Sequence, residues 1–148
     1  MAVAILGLGN LLLTDDGVGI HALRALAADP PPGAILCEVG TAVFDALAVL
    51  ERATRVIAID AIDAGQPPGT VVRFELDSAA APPPPSSLHD LDLPALVRTL
   101  PEAARPPILM VGIQPDVISH GTSLSPVVGA SLQVLLREVR ALALSQQR

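Results

Sequence analysis

Aromatic side chains are almost absent from this chain: its 148 residues include two Phe and no Trp or Tyr. The interior must then be built from Val, Ile, Leu and Ala, within a hydrophobic content of 51%. Such a composition suits a buried parallel sheet covered by helices. Cysteine is equally scarce. Cys37 stands alone, which excludes an internal disulfide and fits a reducing cytoplasm. Its place in a strand-like run makes it a small buried residue rather than a nucleophile. No uninterrupted apolar run reaches the ~18 residues needed to span a bilayer. The first residues lead straight into a strand, with no basic export segment. Excess positive charge is missing too. The formal net charge of −6 argues against a nucleic-acid partner and against an anionic membrane surface. The length predicts one domain over residues 1–148.

What the chain does have is a sequence of aliphatic runs separated by helical patterns. Strands are expected at Val3–Leu8, Ala34–Val39, Val56–Asp60, Thr70–Leu76 and Ile108–Ile113. The fourth differs from the others, because Val72, Phe74 and Leu76 alternate with Arg73, Glu75 and Asp77. The link from the third strand is too short for a parallel crossover, which predicts an antiparallel, hairpin-like edge strand. Helices are expected over Asp16–Ala28, with Ile20, Leu23 and Leu26 or Ala27 facing inward, and after Thr41, with Val43, Phe44, Leu47 and Leu50 on one stripe. A third covers Asp90–Leu100, with Pro94 in or near its first turn. The last is capped by Ser125, opens on Pro126 and carries a stripe of Val128, Leu132, Leu135, Val139 and Leu142. Ala79–Ser87, with prolines at 82–85, reads as an extended exposed loop. The fold class is therefore α/β: a three-layer sandwich with a five-stranded, mostly parallel sheet, one antiparallel edge strand and helices on both faces.

Sites in such sheets lie outside the carboxyl ends of the strands. Asn10, Gly40-Thr41, Asp60 and Gln114 all fall there. Asp15 and Asp16 sit in a glycine-bounded turn between the first strand and the first helix. One carboxylate there is accounted for by helix capping, which leaves the other spare. Asp60 closes an apolar run, where a charge is costly unless paired or coordinating, although it could instead cap a turn. His89 lies in a loop, where a solvated surface role is the ordinary one. His21 on the first helix and His120 before Gly121 read as structural or solvent-facing, with His120 a reserve ligand.

Gly7-Leu8-Gly9-Asn10-Leu11-Leu12-Leu13-Thr14-Asp15-Asp16-Gly17-Val18-Gly19 matches without a gap the pattern Gly-x-Gly-Asn-x-Leu-x-x-Asp-[Asp/Glu]-Gly-x-Gly. In this the chain resembles the hydrogenase maturation endopeptidases, which clip the C-terminal extension from the large subunit of nickel-iron hydrogenases. Asp60-Ala61, Gly69-Thr70, His89 in Ser87-Leu88-His89, Val111-Gly112-Ile113-Gln114-Pro115 and Leu124-Ser125-Pro126 extend the resemblance along nearly the whole chain. The resemblance implies metal contacts from Asp16, Asp60 and His89, with Asp16 or Asp60 as the catalytic carboxylate. It implies nickel carried by the large-subunit precursor as the metal recognised; zinc or cadmium could substitute in a crystal. Carboxylate and imidazole together suit such ions better than magnesium. No His-Glu-x-x-His helix, Gly-x-Ser-x-Gly elbow or Walker-type Gly-Lys-Ser/Thr is present. Two alternatives remain. One is a non-catalytic metal- or nucleotide-binding α/β module, although Asp15-Asp16 would repel phosphate at the turn. The other is an inactive, chaperone-like relative.

Overall fold

The structure, a computed structural model, describes residues 2–40, 46–76, 86–87 and 92–145. Thr41, Val43, Phe44, the proline run at 82–85, His89 and Asp90 lie outside the described residues. In chain order the elements are β1 (Ala2–Leu8), α1 (Val18–Ala27), β2 (Ile35–Gly40), α2 (Leu47–Arg52), β3 (Ala53–Asp63), β4 (Val71–Leu76), β5 (Ser86–Ser87), α3 (Asp92–Arg98), β6 (Ile108–Ile113) and α4 (Pro126–Ser145).

Alternation along the central strands sends their side chains into two cores. Ala4, Leu6 and Leu8 of β1, Val56 and Ala58 of β3, and Met110 of β6 pack under α2 and α3. Val3 and Ile5, Ile57 and Ile59, and Val111 and Ile113 pack on the opposite face under α1 and α4. Helices thus cover both faces, as expected. The inward stripe of α1 ends on Leu26, while Ala27 is exposed. On α4, Val128, Leu135 and Val139 are buried, with Leu132 and Leu142 packed against the same core. No helix among the described residues is long and apolar enough to cross a membrane.

The strand order is β2-β1-β3-β6-β4, with β1 parallel to β2 and β3, and β3 parallel to β6. β4 is the antiparallel edge strand, but it pairs with β6, from Val71↔Ile113 to Leu76↔Ile108. The hairpin expectation is thus corrected: β6 inserts between β3 and β4. The connection after β3 crosses the end of β6, where Gly69 N–H donates to the Gln114 carbonyl at 2.9 Å and Gln114 N–H to Thr70 at 2.8 Å. Half-exposure of β4 holds, with Phe74 turned toward the core and Arg73 paired with Glu138 of α4 at 3.2 Å.

β3 also runs past its expected end, on to Asp63. Asp60 therefore lies inside the strand, in register with Gly112 of β6. A Cβ at position 112 would stand 2.0 Å from the Asp60 carbonyl, so only glycine lets the two strands meet there.

Candidate functional site

The turn after β1 is shaped by its glycines. Gly9 has φ +114°, a backbone state that side chains resist. A Cβ on it would stand 2.0 Å from the Asp16 carbonyl oxygen and 3.3 Å from Oδ1 of Asp60. Gly9 is thus wedged between these two residues, which belong to separate regions of the chain. Gly19 lets α1 lie directly on the sheet: a Cβ there would meet the Leu8 and Ile59 carbonyls at 2.3 and 2.2 Å. That close approach sets the start of α1 beside Leu8 at the end of β1 and Ile59 within β3.

Both carboxylates are out of solvent, Asp16 at 1% exposure and Asp60 at 0%. Asp16 Oδ2 accepts the Asn10 backbone N–H at 3.0 Å. Asp60 Oδ1 accepts the N–H of Ala61 at 2.8 Å. The Asn10 side chain folds over its own turn, its Oδ1 accepting Leu12 N–H at 2.9 Å.

Asp15 has a different task. Residues Thr14–Gly17 form a single 3₁₀ turn ahead of α1, and no side chain caps either that turn or α1. The capping expectation is therefore replaced by a long-range tie. Asp15 Oδ2 accepts N–H groups of Asp116 (2.9 Å) and Val117 (2.8 Å) and the Ser125 hydroxyl (2.7 Å), while Oδ1 accepts Ser125 N–H (2.7 Å). Burial pushes this carboxyl toward a higher pKa, but the donors from Val117, Ser125 and Asp116 outweigh it and hold it below its ordinary value. Ser125 does stand at the N-cap place of α4, its carbonyl accepting Gly129 N–H at 2.8 Å. Its hydroxyl, however, is given to Asp15.

Gln114 is a second organiser that residue type alone does not reveal. Its Oε1 accepts N–H groups of Ala64 (2.7 Å) and Gln66 (3.3 Å), and its Nε2 donates to Asp63 Oδ1 (3.2 Å). One amide thus holds the loop leaving β3 against the end of β6. Its sequence signals are its position just past an apolar strand and its place in the Val111-Gly112-Ile113-Gln114-Pro115 stretch.

Of the other candidates, His89 lies outside the described residues. Ser87, two residues ahead of it, pairs with Ile62, two residues past Asp60. His120 is exposed in the 114–125 loop, and His21 is half-buried on α1 with its Nε2 out of solvent. Cys37 is half-buried on β2. Among the described residues no three His, Cys, Asp or Glu side chains form a metal-holding group.

Comparison with known proteins identifies the family. A family model described as hydrogenase maturation protease matches residues 20–141. The hydrogenase expression/formation protein HupD of Rhodobacter capsulatus is 31% identical over 150 residues, covering 94% of this chain and 71% of that protein. The HupD of Thiocapsa roseopersicina is also 31% identical, and the match spans only 59% of its length. Among solved structures, the [NiFe] hydrogenase maturation protease HybD from Thermococcus kodakarensis superposes with a TM-score of 0.81 at 32% identity, covering 97% of this chain and 99% of that one. The Escherichia coli endopeptidase HybD gives 0.82 at 26% identity, over 99% and 94%. The chain belongs to the hydrogenase maturation protease family, and so to the peptidases among the hydrolases.

Proposed function

We propose that this protein is the endopeptidase that removes the C-terminal extension from the nickel-loaded large-subunit precursor of a nickel-iron hydrogenase. Asp16, Asp60 and His89 recognise the nickel that the precursor carries. The observation that carries this reading is the close packing at Gly9, which stands between the Asp16 backbone carbonyl and the Asp60 carboxylate while both acidic residues are buried. A buried charge is costly unless paired or coordinating. A divalent cation held by both would offset that cost. The donor set fits: carboxylate oxygens with an imidazole nitrogen suit a first-row divalent ion, and three protein ligands leave positions for water and substrate. The pairing of Ser87 with Ile62 supports His89 as the nitrogen donor, because it ties the chain just ahead of His89 to the strand that bears Asp60.

The bound nickel would polarise a water or the scissile carbonyl. The residues of this chain provide the rest. Asn10 N–H fixes the Asp16 carboxylate through Oδ2. Asp60 is fixed through Oδ1 by Ala61 N–H. One of these carboxylates takes the proton of the attacking water as general base. Cleavage becomes a checkpoint: the loaded precursor adds a metal contact that an empty one lacks, and every ~1.4 kcal/mol of that difference gives about tenfold selectivity for the loaded form.

The test is a gel-mobility assay on nickel-loaded precursor. Asp16→Asn and Asp60→Asn should each slow processing by about 100-fold or more while the domain stays folded. Unchanged cleavage by both variants would remove the assigned site. Binding of metal without shortening of the precursor by the unaltered protein would favour a non-catalytic module.

A further inference from the structure

We propose that Leu12, Val117 and Ile118 form the surface on which the precursor seats the apolar residues beside its scissile peptide, an inference that rests on the endopeptidase reading above. The three side chains are large, aliphatic and exposed, at 63%, 42% and 44%. Leu12 occupies the leucine position of the Gly-x-Gly-Asn-x-Leu pattern, yet it contributes nothing to either core. Exposed aliphatic groups gathered at a rim mark a contact surface.

The two loops bearing these residues are braced against each other. Gly121 N–H donates to the Leu12 carbonyl at 2.9 Å, and Thr14 N–H to the Gly121 carbonyl at 2.8 Å. The Thr14 hydroxyl donates to the Val117 carbonyl at 2.6 Å and accepts Ser119 N–H at 3.1 Å. Thr14 has φ +47°, the one non-glycine residue with positive φ among those described. A threonine held in that state costs free energy, and strain of this kind collects where a particular surface must be presented. The hydroxyl ties hold it there, so the rim is preformed.

Continuity with the catalytic residues identifies the occupant. Leu12 lies four residues before Asp16, and the Val117 N–H is bonded to Asp15. Asp16 and Asp60 are buried, and this rim is an exposed apolar surface adjoining the turn that carries Asp16. An anionic membrane surface is disfavoured by the net charge of −6. The partner chemistry is therefore an extended peptide segment carrying aliphatic side chains next to the bond that is cut.

The experiment is steady-state cleavage of nickel-loaded precursor by the unaltered protein and by Leu12→Ser, Ile118→Ser and Leu144→Ser. Each rim substitution should raise KM about tenfold and leave kcat unchanged. Leu144→Ser, on an equally exposed leucine of α4, should alter neither. KM unchanged in both rim variants, or raised equally by Leu144→Ser, overturns the docking proposal and leaves the endopeptidase reading intact. No cleavage by the unaltered protein overturns both. Hydrogen exchange on the unaltered protein gives a readout free of folding artefacts. Adding precursor should protect the amides of 12–13 and 117–119, and equal exchange with and without it would refute the surface.

Discussion

Asp15→Asn is the sharpest test of how the site is held. The substitution keeps the shape and removes the charge. The new amide nitrogen would take the cheaper orientation, on the Oδ1 side, where it confronts a single donor, Ser125 N–H. A buried donor left unmatched costs about 1–3 kcal/mol. The three bonds on the other side, from Asp116, Val117 and Ser125 Oγ, remain but become neutral ones. Each loses about 0.5–1 kcal/mol when the acceptor is no longer ionised. Together the loss is about 4 kcal/mol, a large fraction of the 5–15 kcal/mol typical of a domain, or about 12 °C in Tm. Urea denaturation followed by circular dichroism measures it directly. The pH dependence gives an independent check. Asp15 is held below its ordinary value of 3.8, so its contribution is fully present above that pH and is lost as pH falls through the lower native value. The gap between unaltered protein and variant should therefore be widest near neutrality and shrink below about pH 4. A variant within 1 kcal/mol of the unaltered protein at pH 7 would refute the assignment of Asp15 as the tie between the turn and α4.

Gly19→Ala should destabilise by about 3 kcal/mol or more, because both obstructing atoms are backbone carbonyls that cannot swing aside. Gly33→Ala should cost only about 1 kcal/mol, since its φ of +75° is strained for alanine but no atom stands within 4 Å. Chemical denaturation of the two side by side separates clash from backbone strain. Gln114→Ala strips the partner from the N–H groups of Ala64 and Gln66 and should cost about 2 kcal/mol. Faster hydrogen exchange confined to 64–66 is the expected signature, and unchanged exchange there would contradict the role given to the amide. His89→Ala should reduce discrimination between nickel-loaded and empty precursor more than it reduces cleavage of a saturating loaded substrate. Competition between the two precursor forms in one reaction measures that ratio.

Features governed by neighbours along the chain were readable. The aliphatic runs of β1, β2 and β6, the Ser125-Pro126 start of α4 and the outward turn of Arg73 and Glu75 all follow from local periodicity and capping. Asp16, marked by the glycine-bounded turn, and Asp60, marked by the apolar run before it, are both buried. What escaped was decided by contacts between distant parts. The carboxylate of Asp15 is satisfied by residues 101–110 positions away, so local reasoning turned it into a cap. The partner of β4 depends on a strand that arrives some thirty residues later, and the short loop suggested a hairpin instead. β3 outlasts its aliphatic run because Asp60 is tolerated within it, opposite a glycine that no strand pattern foretells. The two-residue strand Ser86–Ser87 lies in a segment read from its prolines as a plain loop.

The insertion of β6 between β3 and β4 has a bearing on synthesis at the ribosome. Until Ile108–Ile113 emerges, the ladder that β3 will share with it stands open, and β4 has nothing to join. A nascent chain halted before that point exposes the unpaired flank of an aliphatic strand, the kind of edge that recruits other chains. The sheet thus closes late, and a chain terminated in the middle third should aggregate rather than form a smaller working domain.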